Sequence, residues 1–127
     1  MATRTFIPRL LARWGPAIAW MALIFALSSR SRVPGLGRLP DLVTHGIGYL
    51  VLSFLVTRAL SLGPRLGSAS LLLAVAVATL YGVSDEIHQA FVPGRHPDPW
   101  DVGKDALGAV VGALAYQWIA PRHRLRT

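Results

Sequence analysis

Residues 69–89 read ASLLLAVAVATLYGVSDEIHQ. The apolar run is long enough for a helix to cross a hydrocarbon core, which takes about 20 residues. It ends on Asp85, Glu86, His88 and Gln89. Ionisable groups at membrane depth are costly, so such a cluster marks a functional site by default. Three further apolar blocks flank this one. The spacing predicts spans at about 14–29, 41–60, 67–89 and 100–120. The expectation is an all-α polytopic membrane protein, a bundle of four transmembrane helices forming a single domain over residues 1–127. Turn chemistry separates the blocks: Arg32-Val33-Pro34-Gly35 and Arg38-Leu39-Pro40, then Gly63-Pro64, then Pro93-Gly94, Pro97 and Pro99.

Composition agrees with a bilayer. Of 127 residues, 53% are hydrophobic and only 15% charged, against about a quarter charged in soluble domains. The net charge of +7 sits between and beyond the apolar blocks. That pattern argues for topology and anionic-lipid contact and against nucleic acid. There is no cysteine, which removes disulfides and thiolate metal sites. The first block follows Arg4, Arg9 and Arg13 as a signal peptide would, but Ala26-Leu27-Ser28 is a poor cleavage site and more spans follow, so it is expected to stay.

The positive-inside rule places both termini in the cytoplasm. Arg4, Arg9, Arg13, Arg58, Arg65, Arg122, Arg124 and Arg126 then lie inside, and Arg30, Arg32, Arg38, Arg95 and Lys104 outside. All six acids, Asp41, Asp85, Glu86, Asp98, Asp101 and Asp105, fall at the outer end. Acids hardly influence orientation, so their gathering needs another reason. Trp14 and Trp118 sit near the inner boundary and Trp100 near the outer one, as interfacial anchors do.

Helical spacing sorts the polar residues into stripes. Tyr81, Asp85, His88 and Gln89 share a face of the third helix, with Glu86 turned about 100° away toward a neighbour or the rim. Asp41, His45 and Tyr49 line the second helix. Asp101, Asp105, Gly108 and Gly112 line the fourth, and the two glycines allow a close helix approach that would carry Asp105 into the interior. Asp41, His45 and Gly48 match Asp101, Asp105 and Gly108 in spacing, which would suit a parallel repeat of two hairpins.

Structural roles compete with functional ones. Asp98 before Pro99 has the form of an N-cap, with Asp101 at N3. Asp41 opens a helix, where a carboxylate favours the positive dipole end. His45 has no capping role; it could tie helices by bonding Asp41 or Tyr81. Arg95 could pair with a surface acid, His96 and His123 read as loop and tail residues, and Ser28 and Ser29 as a helix end. Asp85, Glu86 and His88 are hardest to explain structurally. They could form a ligand or substrate site, a structural network, or a metal-dependent catalytic site. Two acids with two imidazoles could bind a divalent cation, with His45, Asp85, His88 and Asp105 as candidate ligands, although no His-Glu-x-x-His pattern is present.

These residues resemble the VanZ-like family of membrane proteins. The resemblance rests on Phe25-Ala26-Leu27-Ser28-Ser29, on Asp41, His45 and Tyr49, on the run from Tyr81 to Gln89, on Phe91-Val92-Pro93-Gly94-Arg95, and on Asp101, Asp105, Gly108 and Gly112. Leu42 departs from the pattern, where the family often has Lys after the Asp. If that Lys holds an anionic ligand, Arg38 or Arg95 would serve here. The resemblance implies a small multi-pass protein of the bacterial cytoplasmic membrane, in a family named for a member associated with teicoplanin resistance. A phosphotransbutyrylase activity, a label some members carry, finds no support, since no Gly-rich phosphate loop is present.

The combined expectation is an outward-facing pocket. Asp85, Glu86 and His88 form its centre and are the candidate catalytic residues. Asp41, His45, Asp101 and Asp105 line it, Tyr81 and Gln89 support it, and Arg95 clamps an anionic group. Three classes follow: a non-enzymatic envelope factor binding a lipoglycopeptide, a lipid-linked cell-wall precursor or a partner enzyme; a membrane-embedded hydrolase or transferase acting on a lipid head group, with a divalent metal as an option; and a small oligomeric transporter or channel. The last requires a polar path, whereas 51–56 and 71–77 are nearly all apolar.

Overall fold

The computed structural model describes residues 3–61 and 67–120, with side chains from residue 6 onward. Four helices follow one another: α1 (Thr3–Ser28), α2 (Asp41–Leu60), α3 (Ser68–Gln89) and α4 (Pro99–Ile119). A 3-10 turn, Leu36–Arg38, lies between α1 and α2. No strand occurs among the described residues. The Gly63-Pro64 break, Arg65, Arg122, His123, Arg124 and Arg126, and the side chain of Arg4, lie outside the described residues.

The segments α1 over Phe6–Ser28, α2 and α3 are long and apolar enough to cross a membrane; α4 is not among them. Its first half carries Asp101, Lys104 and Asp105. The first helix begins at Thr3 rather than near residue 14. Arginine is a good helix former and its apolar stem lies along the helix, so Arg9 and Arg13 end the apolar block without ending the helix.

Packing follows from small residues. Buried apolar surface gains little in lipid, so association depends on close fit and on bonds between helices. A Cβ at Gly108 would fall on the Gly46 carbonyl, and one at Gly112 on the Leu50 carbonyl. The α2 and α4 backbones therefore touch, each advancing by one turn together, and the two helices run parallel. This is the most extensive helix pair in the molecule. On α3, Ala74, Ala78 and Gly82 are buried at successive turns. Leu52, Val56 and Tyr49 fill the centre. Leu72, Leu80, Ile87, Leu107 and Trp118 are exposed, an outer apolar surface suited to acyl chains.

The first helix rests on α2 and α3. Trp20 donates to the Gly48 carbonyl at 2.8 Å, and Tyr81 to the Met21 carbonyl at 2.6 Å. Pro16 has no N–H for the carbonyl of Ala12, one turn earlier. Arg58 Nη1 reaches that carbonyl and the next, Arg13, at 3.3 Å each. Arg13 returns a bond to the Ser61 carbonyl at 2.9 Å.

Candidate functional site

The connecting loops decide what reaches the acidic end. Val33-Pro34-Gly35-Leu36 and Val92-Pro93-Gly94-Arg95 are built alike. In each, the fourth N–H bonds the Val carbonyl, at 3.3 and 3.1 Å, and the glycine takes a positive φ, 86° and 79°. Proline then glycine is the signature of a type II turn, where only glycine accepts that third position without strain. Ser31 Oγ donates to the Pro93 carbonyl at 2.6 Å and ties the two turns together. Arg38 and Arg95 are thereby brought to the same cavity.

That cavity measures about 780 Å³ and lies between α1, the first loop and α2. Leu23, Ile24, Leu27, Val43 and Ile47 make its wall apolar. At its polar end stand Asp41, His45, Asp85, Gln89, Arg32, Arg38 and Arg95. Asp85 is buried and accepts from Gln89 Nε2 at 3.1 Å. None of the three arginines forms an ion pair among the described residues.

A second group lies behind His45, between α2, α3 and α4. His45 Nδ1 is 2.9 Å from Asp105 Oδ1, and Nε2 is 3.5 Å from Asp101 Oδ2. Lys104 Nζ donates to Asp101 Oδ1 at 2.7 Å and lies 4.0 Å from Asp41. Asp105 is fully buried. Its Oδ2 lies against Gly82, where an added Cβ would stand 2.7 Å away. Glu86 is 7% exposed, and its Oε2 accepts the Asp98 N–H at 3.0 Å. Glu86 Oε1 and Asp105 Oδ2 are buried without a hydrogen-bond partner. Asp98 also caps α4 by accepting from the Trp100 N–H at 2.9 Å, with Pro99 in the first turn.

The residues expected to form one pocket thus divide into three places. Asp41, His45, Asp85, Gln89 and Arg95 border the cavity. Glu86, Asp101 and Asp105 gather around His45 and do not line the cavity. His88 stands apart, its ring stacked on Phe25 at 4.4 Å and its Nε2 2.9 Å from Ser29 Oγ. Tyr81 bonds the α1 backbone. His45 ties helices through Asp105 and Asp101, not through Asp41 or Tyr81. Sequence reasoning did not place Gly82, Ser29, Ser31 or Arg32 at the site. The Val-Pro-Gly triplet, present at 33–35 and again at 92–94, was the visible signal for the paired loops.

A helical fold with three membrane-length apolar segments and a charged cluster at one end defines a multi-pass membrane protein. The family model VanZ/LLP1 matches residues 42–120, which hold α2, α3 and α4. The chain belongs to that family. No curated protein and no solved structure matches it.

Proposed function

We propose that this VanZ/LLP1 protein is a non-enzymatic factor of the bacterial cell envelope. In this reading it binds an amphiphile with an anionic head group, either a lipid-linked cell-wall precursor or a lipoglycopeptide such as teicoplanin. The observation that carries the proposal is the cavity, whose wall changes from aliphatic side chains to three arginines without ion-pair partners among the described residues. Guanidinium groups pair with phosphate and carboxylate in two-point geometry, and the aliphatic wall suits an acyl or prenyl chain. Arg38 and Arg95 supply the cationic contact that Leu42 does not.

The orientation belongs to the same proposal. Both termini lie in the cytoplasm, α4 is the fourth span, and the cavity opens at the outer surface of the cytoplasmic membrane. The charges of α4 are compatible with a span because Asp101 and Asp105 are engaged by His45 and Lys104. The test is teicoplanin susceptibility of a sensitive Gram-positive host expressing wild type or an Arg38→Ala, Arg95→Ala variant at matched membrane levels. Protection by wild type alone supports the reading. Equal susceptibility with and without the wild-type protein contradicts the resistance role.

A second reading, a hydrolase or transferase acting on a lipid head group, is favoured by one observation. His45 borders the cavity, its Nδ1 held by buried Asp105 and its Nε2 3.5 Å from Asp101 Oδ2, the ring nitrogen left for proton transfer. A carboxylate-oriented imidazole is the usual form of a general acid or base. In this reading His45 takes the proton-transfer role expected of His88, and His45→Gln abolishes turnover of a lipid-linked substrate.

A further inference from the structure

We infer that His45, Glu86 and Asp101 form a binding site for a divalent transition-metal cation. One donor atom from each residue lies within 4.8 Å of the others. Three donors on a cation with bonds of about 2.1 Å stand roughly 3.0–3.6 Å apart, so side-chain rotations that move the donor atoms by about an ångström close the site. The inference does not rest on the amphiphile reading: Glu86 and Asp101 do not line the cavity, and His45 is the one residue the two sites share.

Two observations set this cluster apart from an ordinary acidic patch. The first is Glu86 Oε1, a carboxylate oxygen of a residue 7% exposed, with no hydrogen-bond partner. Its companion Oε2 is held by the Asp98 N–H, which fixes the carboxylate and leaves one oxygen for another ligand. A buried carboxylate oxygen without a donor is costly, and a cation supplies what the protein does not. The second is the mounting of His45. Metal-binding imidazoles almost always give their other ring N–H to a carboxylate or carbonyl, which fixes ring and tautomer. Here Nδ1 meets Asp105 Oδ1 at 2.9 Å, and the other oxygen of Asp105 is seated on Gly82. Nε2, 3.5 Å from Asp101 Oδ2, is thereby left as the free ring nitrogen.

The donor set selects among cations. One imidazole and two carboxylates suit zinc, manganese or iron(II) better than calcium, which prefers oxygen throughout. Asp101 Oδ1 stays with Lys104 while Oδ2, now 3.5 Å from His45 Nε2, turns to the metal. The set differs from the sequence expectation of His45, Asp85, His88 and Asp105. Asp105 orients the ligand, Asp85 faces the cavity, and His88 is bonded to Ser29.

The test uses the full chain in nanodiscs, stripped with chelator and titrated with Co²⁺ and Zn²⁺, reading visible Co²⁺ absorption and calorimetric stoichiometry. The expected result is one equivalent per chain, displaced by Zn²⁺. Glu86→Gln and Asp101→Asn each weaken binding at least tenfold, and His88→Ala leaves it unchanged. Glu86→Gln keeps an acceptor for Asp98, and the thermal midpoint of each metal-free variant checks its fold. Absence of saturable binding by wild type at millimolar metal overturns the site. So does wild-type affinity in a folded Glu86→Gln protein, or loss of binding in a folded His88→Ala protein.

Discussion

His45 on α2 and Asp105 on α4 meet at 2.9 Å inside the molecule, one helical turn from the point where Gly108 brings the two backbones into contact. The close approach and the bond depend on each other. The glycines set the helix separation, and the separation sets the reach of the imidazole. Hydrogen bonds between membrane helices contribute about 0.6 kcal/mol on average and up to about 1.7. A buried pair on the tightest helix contact belongs at the upper end. A double-mutant cycle of His45→Ala and Asp105→Ala, read by unfolding in mixed micelles, should return a coupling energy of about 1–2 kcal/mol. A coupling near zero would show that the contact does not hold α2 and α4 together.

Enlarging the glycines tests the geometry from the other side. Gly108→Val and Gly112→Val each place carbon on an α2 carbonyl, which the backbone can relieve only by separating the helices. Overpacking of this kind costs about 1–3 kcal/mol. Both variants should unfold at lower temperature than wild type. Gly103→Val, with open space around its Cβ position, should be neutral or slightly stabilising, because valine is a better helix former than glycine. Circular dichroism melts in detergent distinguish the three.

Gly82 makes a narrower prediction. A methyl there stands 2.7 Å from Asp105 Oδ2. Gly82→Ala should therefore push the carboxylate and loosen its hold on His45. The secondary structure should survive, while the His45–Asp105 coupling falls. An unchanged coupling energy in the Gly82→Ala background would contradict the packing described.

At the opposite end, Arg58 serves the carbonyl that Pro16 leaves without a helix partner. Arg58→Met should destabilise the α1–α2 contact by about 1 kcal/mol, the usual net worth of one hydrogen bond, because both bonds are long and exposed. In a Pro16→Ala background the helix supplies its own donor, so the same Arg58→Met change should cost measurably less. Equal costs in the two backgrounds would mean that Arg58 acts elsewhere.

Orientation can be read directly, because the chain has no cysteine of its own. Gly37→Cys lies in the loop at the acidic end and Arg9→Cys at the other end, both at exposed positions. A membrane-impermeant maleimide applied to intact cells should label Gly37→Cys, and should reach Arg9→Cys only after permeabilisation. The reverse pattern would invert the topology.

Much of this was legible in the sequence because hydrophobic length and helical period are local properties. The segments 41–60 and 67–89 coincide with α2 and α3 nearly to the residue, and Gly108 with Gly112 announced a close contact. The fate of each polar residue was less legible. The i, i+4, i+7 rule put His88 on the stripe of Asp85 and Tyr81, yet a stripe covers a wide arc. The neighbour that claimed His88 was Phe25 of α1, sixty-odd residues distant in sequence. Glu86, turned away from Asp85, met α4 because α2 and α3 both pack against that helix. The partnership of His45 with Asp105 depends on the helix order in space, which periodicity does not encode. Arg32 and Arg38 reach the cavity through a turn whose chemistry is plain in Val-Pro-Gly but whose direction is not.

The claim that the cavity holds an anionic amphiphile is tested most directly by native mass spectrometry of the protein released from nanodiscs. The nanodiscs would contain excess phosphatidylglycerol and a lipid-linked cell-wall precursor or teicoplanin. The expected result is one ligand per chain retained against the excess phospholipid, and loss of that adduct when Arg32, Arg38 and Arg95 are replaced together by alanine. Absence of any adduct on the wild-type protein, or an undiminished adduct on the folded triple variant, would contradict it.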